Sequence, residues 1–78
     1  NEPVTFNVYP NPNNGNFQVT ANQAIDALRI YSADGKLVHQ AQPNTAQVSI
    51  ELSDLSTGVY MLEMDVNGET VLERLAVR

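Results

Sequence analysis

Three Asx-Gly pairs, Asn14-Gly15, Asp34-Gly35 and Asn67-Gly68, punctuate a chain of only 78 residues. Each pair offers the positive φ that a tight turn between strands demands. The segments between them alternate apolar and polar residues, the period of a strand buried on one face. Val4-Thr5-Phe6-Asn7-Val8 opens the series and is stopped by Pro10 and Pro12, because proline donates nothing to a β-ladder. Phe17 and Val19 restart it, Leu28 and Ile30 share one face of a third run, and Asp34-Gly35 turns the chain into residues 36–40, where His39 alternates with Leu37 and is expected at the core edge or the sheet rim. Val48-Ser49-Ile50-Glu51-Leu52 alternates cleanly. Residues 54–58 then form a loop in which Asp and Ser side chains are expected to bond nearby backbone N–H groups. In the run Val59 to Val66, Tyr60, Leu62, Met64 and Val66 fall on one face with Glu63 and Asp65 opposite. Thr70 to Val77 closes the set, with Leu75 and Val77 the inward pair.

These runs predict an all-β fold, a small antiparallel Ig-like β-sandwich of about seven strands. Residues 21–27 are the one stretch where a short helical turn is admissible. The sequence divides into residues 1–3, read as the end of an upstream linker, and one domain over residues 4–78. Asn1-Glu2-Pro3 carries no Met and no signal segment, so the sequence is expected to be a piece of a longer protein.

Composition narrows the function. With no Cys, neither disulfides nor thiolate metal sites are available to staple so small a core, and the single His39 forms no metal-binding cluster. Stability must come from the packed apolar faces. A net charge of −5 with only four basic residues argues against nucleic-acid binding, which requires phosphate neutralisation. The longest apolar runs, such as Val59–Leu62, are far too short for a membrane-spanning helix. His39 has no nucleophile or carboxylate motif beside it, and Asp34, Asp54, Asp65 and Glu69 do not follow the calcium-loop pattern. No catalytic residue, cofactor or metal is therefore expected, and an enzyme is the least favoured class.

Four segments in order resemble the type A C-terminal sorting domain of the type IX (Por) secretion system. Residues 9–17, YPNPNNGNF, resemble the family's opening signature. Residues 28–38, LRIYSADGKLV, resemble its central hairpin, and residues 52–62, LSDLSTGVYML, its Leu-x-x-Leu-x-x-Gly-x-Tyr segment. Asn67-Gly68 followed by a strand with Arg74 completes the pattern. The family's final strand often carries several lysines, whereas this one carries Glu69, Glu73, Arg74 and Arg78.

The resemblance implies a secretion signal in Bacteroidetes, joined at its N-terminus to a cargo protein. It implies passage through the periplasm, recognition by the type IX outer-membrane translocon, and removal by a sortase-like peptidase. The cargo then reaches the cell surface, anchored to lipopolysaccharide, or the medium. The domain itself is expected to be a monomer that neither inserts into a membrane nor binds nucleic acid.

On this reading the candidate recognition residues are Tyr9, Pro10, Asn11, Pro12, Gly15, Gly58, Tyr60, Arg74, Leu75, Val77 and Arg78. Each also has a structural explanation. Asn, Pro and Gly suit turns, Gly58 permits a change of direction, Tyr60 suits a core whose edge meets its hydroxyl, and charges protect an edge strand. A carbohydrate-binding or adhesive module is the competing function, and a plain structural spacer another. The former needs a platform of aromatic rings, but there is no Trp, and Tyr9, Tyr31 and Tyr60 lie on different strands or at strand ends.

Overall fold

A computed structural model describes residues 3–53 and 55–78 of the chain. Most of the proposed linker (Asn1 and Glu2) and the loop residue Asp54 lie outside the described residues. The strands are β1 (Phe6–Tyr9), β2 (Asn16–Ser32), β3 (Leu37–Ala41), β4 (Thr45–Glu51), β5 (Gly58–Val66) and β6 (Glu69–Val77). All pairings between them are antiparallel. The described residues contain no helix.

The described residues thus form six strands rather than the seven read from the sequence, and the difference lies in β2. The runs around Phe17–Val19 and Leu28–Tyr31 belong to one strand of 17 residues, and the stretch admitted as a helical turn is its middle. Two irregularities hid this continuity. Register slips between Thr20 and Ile25 on the β4 side, and between Ile25 and Ala27 on the β5 side, where Asp26 has no opposite number. Such bulges break the period of two and bend the strand. Asn22 secures the bend: its side chain accepts a hydrogen bond from the Thr5 N–H (3.0 Å) and donates to the Pro3 carbonyl (2.9 Å).

The first half of β2 lies between β1 and β4, and the second half between β3 and β5, with β6 beyond β5. Phe17, Val19 and Ile50 from the first group share one hydrophobic cluster with Leu28, Ile30, Leu62, Met64 and Leu75 from the second. Two inner faces closing on one core make this a small sandwich-like domain. The alternation read in the last two runs holds throughout: Tyr60, Leu62, Met64, Val66, Leu75 and Val77 are all buried.

One parity differs from expectation. Leu37 and His39 were read as alternating partners on one face, but a register shift separates them. Leu37 sits opposite Tyr31 on the outer face, and His39 opposite Ile30 on the inner side.

Leu62 is fully buried at the centre of β5, so Leu62→Ala should leave a cavity costing about 2–5 kcal/mol. A domain this size has roughly 4–12 kcal/mol in all. Urea unfolding should therefore show a sharply lowered midpoint, or no folded baseline at all.

Candidate functional site

The proline-rich loop and the terminal strand, far apart in sequence, form one structure. Pro10 ends β1 at Tyr9, and residues 10–15 then cross to β6 instead of closing a short hairpin. The peptide bonds Tyr9–Pro10 and Asn11–Pro12 are both cis. Asn11 donates its Nδ2 to the Arg74 carbonyl (3.0 Å) and accepts the Ala76 N–H on Oδ1 (3.1 Å). A side-chain amide here makes the pair of bonds that a neighbouring strand's peptide would make. Two residues on, the Asn13 backbone continues the pairing. Its N–H donates to the Ala76 carbonyl (3.0 Å) and its carbonyl accepts the Arg78 N–H (2.7 Å). The result is a parallel bridge between Asn13 and Val77.

Asn13 also holds the loop's own shape. Its Nδ2 donates to the Pro10 carbonyl (3.1 Å) and its Oδ1 accepts the Gly15 N–H (2.8 Å), so this buried polar residue is fully engaged. Gly15 follows at φ 104°, and a Cβ there would lie 2.1 Å from the Leu52 carbonyl oxygen. The Gly15 carbonyl accepts the Leu52 N–H (2.9 Å), tying the loop to the chain just after β4. Turn chemistry alone did not single out Asn13. An Asn two residues before a Gly is an Asx-turn signal, but its partners on β6 leave no trace in local sequence.

The loop covers only part of the β6 edge. Asn67 and Gly68, both at positive φ, form the two-residue turn that makes Val66 and Glu69 a hydrogen-bonded pair. Counting from there, Thr70, Leu72, Arg74 and Ala76 turn their backbone groups away from β5. Asn11 and Asn13 occupy the Arg74–Arg78 end, while among the described residues no strand pairs with the edge at Thr70 and Leu72.

The sequence-predicted residues divide by burial. Tyr9, Pro10, Asn11, Pro12, Arg74 and Arg78 are exposed around this junction. Leu75 and Val77 alternate with the two arginines but point into the core. Tyr60 is buried too, its hydroxyl donating to the Ser56 carbonyl (2.8 Å), and Gly58 opens β5 opposite Val77. Tyr9 stands at the end of β1, Tyr31 on the outer face of β2 and Tyr60 in the core, so the three rings share no platform. Among the described residues, no three His, Asp or Glu side chains stand close enough to hold a metal ion.

The outer face of β2, β5 and β6 carries the ion pairs. Arg29 bridges Glu63 (2.6 Å) and Asp65 (3.0 Å) across the strands. Hydrogen bonds to the two carboxylates push the Arg29 pKa upward. The Asp65 carboxyl is held below its ordinary value by the Arg29 hydrogen bond first and the Thr70 hydroxyl second. Asp34 is lowered likewise, by Ser32 and the Lys36 backbone N–H at the β2–β3 turn.

A family model described as the secretion system C-terminal sorting domain matches residues 7–78, which takes in both the loop and the whole of β6. No curated protein matches the chain.

Two measurements follow from this geometry. Asn11→Ala removes both bonds to β6 and should cost about 1–3 kcal/mol, with faster amide hydrogen exchange at Ala76 than at core amides of β5. Exchange at Ala76 as slow as in the wild type would refute the strand-substitute role of Asn11. For Asp65, a lowered native pKa means its contribution is complete above the ordinary value of 3.8 and is lost as pH falls through the native one. The difference in thermal midpoint between wild type and Asp65→Asn should therefore shrink below about pH 4.

Proposed function

The chain belongs to the secretion system C-terminal sorting domain family, and on that premise we propose that its junction of proline loop and terminal strand is what the export machinery docks. The family makes it a sorting signal for type IX secretion, exported to the cell surface or medium together with an attached cargo. Beyond that, the proposed route runs through the periplasm. The folded domain there meets the outer-membrane translocon, and a sortase-like peptidase later removes it, leaving the cargo released or linked to lipopolysaccharide. The domain acts as a ligand, without chemistry of its own.

The observation that carries the docking proposal is the half-covered edge of β6. Asn11 and Asn13 satisfy the strand at Arg74–Arg78, while Thr70 and Leu72 turn backbone groups outward with no strand of the described residues beside them. Leu72 is also the most exposed large apolar residue of the domain, at 57%. An extended segment of the machinery could add there, its main-chain hydrogen bonds supplying affinity. Truncating β6 is a poor test, since it removes the buried Leu75 and Val77 and with them the fold. Leu72→Pro is better: it deletes an outward N–H and leaves the β5 ladder intact.

The experiment fuses residues 1–78 to the C-terminus of a signal-peptide-bearing fluorescent protein, in bacteria with and without a working type IX translocon. Reporter at the surface or in the medium only of the competent strain is the expected result. Folded fusion retained in the periplasm of both strains would refute the sorting role. With the wild type exported, Leu72→Pro should be retained; its normal export would exclude strand addition at that edge.

A further inference from the structure

The outer face of the second sheet group is split into two unlike halves. Opposite partners in register share a face, so Leu37, Tyr31, Met61 and Arg74 form one row running across β3, β2, β5 and β6. Val59 on β5 extends this row towards the chain's end, beside Ala76. The next row in the other direction holds Gln40, Arg29, Glu63 and Leu72, and the one after it Asp65 and Thr70; Arg29, Glu63, Asp65 and Thr70 satisfy one another. Apart from Leu72 at its β6 margin, that half is a neutralised polar surface. The other is apolar and open, with Leu37, Val59 and Met61 exposed by 42%, 41% and 39%.

Charge marks the same half. The chain carries −5 overall and four basic residues. Arg29 is engaged in the polar half, and the ion pairs among the described residues are both its own. Arg74 and Ala76 fall on the outer face of β6, along the margin of the apolar row, and Arg78 is exposed one residue past the strand's end. In an acidic protein, two cations with no carboxylate partner among the described residues border the open apolar face.

We propose that Leu37, Tyr31, Val59 and Met61, rimmed by Arg74 and Arg78, form a docking face for an acidic protein segment. That segment would set apolar side chains on the row and place carboxylates on the two guanidinium groups. The inference rests on the sorting reading above and supplies the chemistry of the partner at that site. Charge complementarity selects the occupant. Guanidinium groups bind carboxylates bidentately, and a half-desolvated rim strengthens such pairs.

The test uses the reporter fusion with variants confined to this face. Met61→Thr keeps a strand-forming residue, and Arg74→Glu with Arg78→Glu reverses the rim. Purified fusions are first checked for an unchanged thermal midpoint. Export by the competent strain should fall at least about tenfold for each, the loss expected of a contact central to an interface. Arg74→Lys with Arg78→Lys should retain most export, and Gln47→Glu on β4 should match the wild type. Wild-type fusion that is not exported defeats the sorting reading and this inference with it. Wild-type export with full export of the folded face variants overturns this inference alone. Two further outcomes would also overturn it. One is sedimentation of the domain with phosphatidylglycerol vesicles that Arg74→Glu abolishes; the other is a dimer in sedimentation velocity that Met61→Thr dissolves.

Discussion

Everything in this domain is organised around a single strand. β1, β3, β4 and β5 all hydrogen-bond to β2, and only β6 is attached at one remove, through β5. A chain without disulfides must close its core by surface burial alone, and one long strand shared by both sheet groups does this economically. The bend near Ile25 and Asp26 turns Phe17 and Val19 to face the same interior as Leu28 and Ile30. Had β2 kept an unbroken period of two, Phe17 and Val19 would have pointed to the face opposite Leu28 and Ile30, and one core could not have taken both.

A sheet built on one central strand has many edges, and each edge exposes unpaired peptide groups. β1 is only four residues long, and the backbone and side chain of Asn22 extend its pairing back to Thr5 and Pro3. β6 is longer and is covered in another way, by Asn11 and Asn13 bonding to the Arg74–Arg78 segment. Asparagine suits the task because its side chain carries the donor and the acceptor of a peptide group. The same bonds fix where the open part of the edge begins, so protection of one half of β6 defines the accessibility of the other.

How much of this was legible in the sequence depended on whether a feature was local. β5 and β6 could be read residue by residue, because Tyr60 to Val66 and Leu75 to Val77 alternate without interruption across a two-residue turn. β2 could not, because Ala21, Asn22, Gln23 and Ala24 sit in a register slip where alternation says nothing. Leu37 and His39 were misread as sharing a face for the same reason, an extra residue in the ladder. The loop at residues 9–15 was recognisable as a motif, yet its meaning lay beyond local reasoning. Asn11 finds its partners 63 and 65 residues away, and Asn13, which fixes the loop's shape, drew no notice.

The terminal strand joins folding and recognition in one segment. Arg74 and Arg78 face outward while Leu75 and Val77 face inward, so the spacing of the two cations is set by packing of the two apolar residues. Unfolding removes the spacing, the covered edge and the open edge together. On the proposed reading, a partner that binds this strand and its outer face therefore tests the folded state as well as the sequence. Linear recognition would tolerate a polar residue at Leu75, whereas recognition of the sheet would not, although that side chain never reaches the surface. A sorting signal of this kind ties export to completion of its own fold, and the strand joined to β2 only through β5 is also the one the machinery would read.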